Sequence, residues 1–168
     1  MMSAQSASPV PASSEVGELY LLFNLQHDRY ALSVHEVVEV LPLRRLKAFP
    51  QAPAWVAGGF DYHGTLVPVI DLLMRASERQ AAQLTSTRLV LVHYRPASRV
   101  LGLILEKATD TVRLSASAFH DSAVSPGAAQ YLGAVQSCAQ GLVQRIEVSR
   151  LLPADVCALL FPTVGDTA

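Results

Sequence analysis

The chain has 168 residues and a formal net charge of −1; 51% of its residues are hydrophobic and only 16% are charged. That length suits one compact domain or two very small ones, with enough chain to bury a real core. Near-neutral charge without a basic tract excludes nucleic acid and a polybasic membrane anchor, and no apolar run reaches the roughly 18–20 residues that cross a bilayer.

Residues 1–17 are rich in Ser, Ala and Pro and lack the positive start and apolar core of a signal peptide. They are expected to form a disordered tail, followed by a folded domain over 18–161 and a short tail over 162–168. Cys138 and Cys157 are too far apart for a CxxC pair, so both are expected to be free thiols packed as small core residues in a reducing cytoplasm.

Strand signals dominate the domain. Leu19–Leu25 is a β-prone run, turned by Gln26-His27-Asp28 into a partner over Arg29–Ser33. Val34, Val37, Val38 and Leu41 stand at helix-like spacing, which predicts a short helix or turn leading into an extended piece. Pro42, Pro50 and Pro53 exclude regular helix as far as Ala54. A second hairpin is predicted from Ala57–Tyr62 and Thr65–Ile70, turning at His63-Gly64, with Pro68 at an edge or bulge. Asp71 is a plausible N-cap for a short helix, Leu72–Ala76, and Ser77–Ser86 reads as a polar loop.

Arg88–Tyr94 and Arg99–Glu106 form a pair of strong strands, and Asp110–Leu114 adds a short one. Ser115–Gln130 looks like an exposed connection. Tyr131–Ala139 and Leu142–Val148 make a last hairpin at Gln140-Gly141, and Ser149 caps a final helix over Arg150–Leu160, interrupted by Pro153. Many short strands with near-regular turns indicate small barrels or a sandwich. A displacement of about seventy positions pairs the Tyr20 run with the Leu91 run, Ala31-Leu32 with Gly102-Leu103, and Glu39 with Asp110. A duplication of this kind would give two small barrels with a groove at their seam.

Catalytic chemistry finds little support. The histidines at 27, 35, 63, 93 and 120 have no metal-ligand spacing, and there is no GxSxG elbow, Walker loop or GxGxxG. His93 is expected to be a packing residue within its apolar strand, and His120-Asp121 a solvated loop. The reading is of a non-enzyme without cofactor or metal.

One stretch is more specific: Phe23…Tyr30-Ala-Leu-Ser-Val34…Val37-Val-Glu-Val40, then Pro53-Ala-Trp-Val-Ala-Gly58…Gly64-Thr-Leu-Val-Pro-Val-Ile-Asp-Leu72. It resembles the CheW-like domain family of bacterial chemosensory coupling proteins, above all in the G-x-x-x-P-V-I-D-L run. Val100–Glu106, Asp110 and the closing Leu142–Leu152 segment also fit, so the resemblance spans about Leu19–Leu160. It implies a mainly β fold of two intertwined five-stranded SH3-like barrels with a shared core, short helices and a C-terminal helix. It also implies a cytoplasmic scaffold recruited to membrane-associated receptor arrays. The implied partners are the cytoplasmic tips of methyl-accepting receptors and the regulatory domain of a CheA-type histidine kinase.

Carried over residue by residue, the resemblance places partner contacts near Val37, Glu39, Gly58, His63, Gly102 and Thr111. Gly58 and Gly102 lack a Cβ, so they serve either close approach of a partner helix or a bulge in a strand. Val37 is an apolar contact or a core residue; Glu39 is an acceptor for a partner Arg or Lys or a solvated charge. The family usually carries N-L-R-G before the P-V-I-D-L strand, whereas this chain has Asp61-Tyr62-His63-Gly64. A permanent cation is replaced by a shorter, mostly neutral ring, and a neutral amide by a carboxylate. Asp61, Tyr62, His63 and Gly64 are therefore expected to form an altered partner corner, serving a dedicated receptor–kinase set, for instance in a non-flagellar pathway. The other reading is a barrel module that holds a small ligand or a different protein; it requires an enclosed pocket within one barrel.

Overall fold

The computed structural model describes residues 17–77, 86–121, 130–139 and 141–162. The expected N-terminal tail up to residue 16, the C-terminal tail beyond Pro162, most of the polar loop after Ser77, the middle of the 115–130 connection and Gln140 lie outside these residues.

Strands β1 (Glu18–Leu25) and β2 (Asp28–Ser33) form the first hairpin. Ser33 accepts a hydrogen bond from the His35 N–H at 3.2 Å and opens one 3-10 turn, Val34–Glu36. The chain then extends as β3 (Val37–Pro42), so the helix-like valine spacing resolves into a single turn followed by a strand. Strands β4 (Val56–Tyr62) and β5 (Thr65–Asp71) pair across the predicted turn. Pro68 pairs with Gly59 just before β5 begins its second ladder at Val69, so its missing N–H is spared. Asp71 Oδ1 accepts the Met74 N–H at 3.1 Å and starts α1 (Leu72–Ser77).

Strand β6 (Arg88–Tyr94) pairs with β7 (Arg99–Leu114), which absorbs the separate short strand expected at 110–114. Lys107 in its middle has φ +53°, and there the strand leaves one set of neighbours for another. Strands β8 (Leu132–Cys138) and β9 (Gly141–Ile146) form the last hairpin. The final helix departs from expectation. Val148–Arg150 forms a 3-10 turn, and α2 (Ala154–Leu160) begins only after Pro153, which stands as its N-cap. Proline lacks the N–H a helix interior needs but is tolerated at a start, so it sets the boundary and Ser149 does not.

The strands make two five-stranded units. One joins the second half of β7 to β1, β2, β9 and β8, with a backbone bridge between His120 and Val135. The other joins β3, β6, the first half of β7, β5 and β4, with a bridge between Lys47 and Gly59. We call them barrel A and barrel B. Each half of the chain supplies one hairpin to a barrel and gives its following strand to the other: β3 pairs with β6, and the second half of β7 pairs with β1. Parallel pairings repeat the equivalence, β2 with β9 and β5 with β7. The echo in the sequence is thus the trace of this exchange.

The exchange explains the apolar composition. On β1, Tyr20 and Leu22 fill barrel A, while Leu21, Phe23 and Leu25 face a core shared by both barrels. On β6, Leu89 and Leu91 fill barrel B, while Val90 and Val92 face the shared core. Strands buried on both faces read as continuous apolar runs rather than alternations.

Gly102 is buried where β7 lies between β5 and β6; an added Cβ would meet Val69 Cγ2 at 2.8 Å and Leu89 Cδ1 at 3.1 Å. Gly102→Val is therefore expected to lower stability by about 1–3 kcal/mol through overpacking, read as a lower urea midpoint; an unchanged midpoint would contradict this packing. All five tyrosines have phenol pKa values raised above 10.0. Burial is the main cause at Tyr20, Tyr30, Tyr94 and Tyr131, with Tyr94 pushed up to about 12. Below pH 10 the phenols are protonated in both folded and unfolded chains. Above it the unfolded chain loses protons that the folded chain retains, so stability should fall as pH rises from 10 towards 12. Phenolate absorbance of the native protein should lag that of the urea-unfolded chain; coincident titrations would contradict the burial.

Candidate partner-binding site

The β4–β5 turn is a two-residue hairpin loop with both central residues left-handed, His63 at φ +52° and Gly64 at φ +87°. This conformation matches the twist of the flanking strands, and it holds the His63 side chain at the exposed tip. The Tyr62 and His63 rings meet edge to face, with centroids 4.3 Å apart, and Phe60 lies 6.1 Å behind Tyr62. Arg44, from the connection after β3, places its Cζ 5.2 Å from the centroid of the Phe60 ring.

Glu39 on β3 joins this corner. The Tyr62 hydroxyl donates to its Oε1 at 2.5 Å, a hydrogen bond that favours the neutral phenol and raises its pKa. The bond leaves the carboxylate's other lone pairs available at an exposed position. Asp61 stands one residue before Tyr62 on β4, so it faces the other side of the strand, exposed and paired across the hairpin with Leu66.

Two clefts adjoin the turn. One, of about 320 Å³, runs from Tyr62 and His63 past Leu66 to Arg99, Val100 and Phe161. The other, of about 400 Å³, lies between Phe49, Leu66 and the end of α2 at Leu159 and Leu160. Leu66 belongs to both and is 56% exposed; Leu159 is 45% exposed. Exposed leucines of this kind, gathered beside polar groups, suit a protein-binding face.

The structure brings together Glu39, Asp61, Tyr62, His63 and Gly64 from the sequence-derived set. Val37 is half-buried at the start of β3 and packs against the shared core. Gly58 is buried with φ +140° at a register shift in β4, and the space of a Cβ is taken by the Lys47 backbone and the Leu46 side chain. Gly58 and Gly102 thus make room for the chain itself; neither offers backbone to a helix from outside. Thr111 is exposed but lies in barrel A, opposite Leu21 of β1. His93 is exposed on β6 rather than packed, beside a cleft at the barrel seam that also contains Glu36 and Arg95, paired at 3.7 Å. Among the described residues, no group of three or more His, Cys, Asp or Glu stands close enough to hold a metal ion.

Leu66, Arg44, Arg99 and Phe161 were not indicated by motif. For Leu66 a signal existed: a hairpin turning at His63-Gly64 pairs Asp61 with Leu66, so a solvent-facing aspartate puts its cross-strand leucine in solvent. Arg99 and Phe161 reach the cleft only through tertiary packing.

Comparison with known proteins agrees with this architecture. The family model described as "CheW-like domain" matches residues 19–156. The chain is 22% identical over 152 residues to the chemotaxis protein CheW of Klebsiella aerogenes, covering 89% of this chain and 90% of that protein. It is 26% identical over 106 residues to the CheW of Bacillus subtilis, covering 63% and 67% respectively. The crystal structure of the scaffolding protein TtCheW from Thermoanaerobacter tengcongensis superposes with a TM-score of 0.72 at 16% identity, covering 92% of this chain and 96% of that one. With the two exchanged barrels and a family match over most of its length, the chain belongs to the CheW-like domain family.

Proposed function

We propose that this protein is a non-enzymatic adaptor coupling methyl-accepting receptors to a CheA-type histidine kinase within a cytoplasmic, membrane-associated signalling array. Its partners are the receptor's cytoplasmic tip and the kinase's regulatory domain, and they meet it at the corner built from Glu39 and Asp61–Gly64, with Leu66 as the apolar neighbour. The observation that supports this reading is the Tyr62–Glu39 hydrogen bond, which fixes an exposed carboxylate beside an apolar cleft. A helix carrying an apolar stripe and a Lys or Arg would satisfy both features. Thr111 is a further contact on the barrel A side, and Val37 supports β3 from below. His63 in place of the family's arginine removes a permanent cation and suits a dedicated partner set, such as that of a non-flagellar pathway.

Titration of the purified protein with its native kinase regulatory domain and receptor tip should give dissociation constants of roughly micromolar order. Glu39→Gln keeps an oxygen for the Tyr62 hydroxyl but removes the charge, and should weaken at least one partner about tenfold. Binding of neither partner would sink the adaptor reading; unchanged affinities with Glu39→Gln would remove Glu39 from the interface. His63→Arg restores the family's cation at an exposed turn, and should shift preference towards partners of standard chemotaxis systems in a competition assay. Equal preference before and after the substitution would show that the turn does not select partners.

A further inference from the structure

Arg75 lies in the last turn of α1, with its guanidinium between two aromatic rings. Its Cζ is 4.7 Å from the centroid of the Trp55 ring and 5.1 Å from that of Tyr131. The rings belong to different barrels at equivalent places: Trp55 immediately precedes β4 of barrel B, and Tyr131 immediately precedes β8 of barrel A. Their backbones are anchored alike. The Trp55 carbonyl accepts from the Asp71 N–H at 2.8 Å at the end of β5, and the Tyr131 carbonyl accepts from the Glu147 N–H at 2.7 Å just past β9. One side chain therefore spans matching points of the two halves.

The chemistry of the contact is directional. Arg75 Nε is buried and, among the described residues, has no hydrogen-bond partner, so the two rings are the electron-rich groups set against the guanidinium. A cation over an aromatic face gains most when it is desolvated, and the planar guanidinium stacks on rings as an ammonium cannot. The positive charge also opposes the rise that burial imposes on the Tyr131 phenol, so the two groups interact electrostatically. The shared core and the continuous β7 already pack the barrels together, and Arg75 adds a directional contact across them. The chain gives strands from one barrel to the other at the Val34–Glu36 turn and the bend at Lys107, and after β9 it passes to barrel B, where Phe161, just past α2, stacks on Tyr94 of β6 at 5.7 Å.

We propose that Arg75 is a latch between the barrels, its guanidinium clasped by Trp55 and Tyr131 so that one barrel is held at a fixed angle to the other. Trp55 is the single tryptophan of the chain, so its fluorescence reports on this site alone. The test uses the full chain with Cys138→Ser and Cys157→Ser, carrying spin labels at Thr65→Cys in barrel B and Ser137→Cys in barrel A, both exposed positions. Double electron–electron resonance should give one narrow distance distribution for this parent. Arg75→Met should broaden or displace it, and should raise acrylamide quenching of Trp55 about twofold as one ring face is uncovered. Arg75→Lys, which keeps the charge but not the plane, should broaden it as well, whereas Tyr131→Phe, which keeps the ring, should preserve it.

Thermal melts by circular dichroism separate a latch from a purely stabilising contact. A lowered melting temperature with the parent's distance distribution would overturn the proposal. If Arg75→Met does not fold, Arg75→Lys decides the matter: a native distribution in that folded variant overturns the latch, and a broadened one supports it.

Discussion

The constraint on which the rest of the structure depends is that β1 and β6 are apolar on both faces. Neither strand has a side that tolerates water, so each must lie between a barrel interior and a second apolar layer. The shared core supplies that layer for both strands at once. Placing them there requires the exchange of β3 and the second half of β7 between barrels, since those strands flank β6 and β1. The αL residue at Lys107 and the 3-10 turn at Val34–Glu36 are where the chain makes the two crossings. A composition of 51% hydrophobic residues with few charges follows largely from this internal demand.

The candidate site is a consequence of the same exchange. Because β3 is given to barrel B, Glu39 arrives at the edge of the hairpin from β4 and β5, where Tyr62 holds it. The type I′ geometry at His63 and Gly64 presents the turn outward, and its register places Leu66 across from Asp61. Charged and apolar groups thus converge at one exposed corner. The electrostatics of that corner are set by a carboxylate at 61 and an imidazole at 63.

Much of the fold was legible in the sequence because turn chemistry and two-sided apolar runs are local. His63-Gly64, Asp71 and the hairpin pairs were all placed by residues close to one another. The parts that were not legible are those decided by tertiary contact. Val34, Val37, Val38 and Leu41 have helical spacing, yet pairing with β6 draws the last three into a strand. Pro153 and Ser149 both offer a helix start, and the packing of Val148, Leu151 and Leu152 into the shared core uses up the earlier one. Gly58 and Gly102 were legible as special positions, but only the structure shows that Lys47, Val69 and Leu89 occupy the space they leave. Arg75, a basic residue in a short helix, carried no signal that it would be clasped by rings from two distant segments.

An adaptor must couple two partners rather than merely bind one. The direct measurement is kinase autophosphorylation, followed in a reconstituted mixture of the native receptor, the native histidine kinase and this protein. Receptor-dependent control of the phosphorylation rate should appear only when this protein is present. A rate that responds to the receptor equally with and without it, or that never responds, would contradict the claim.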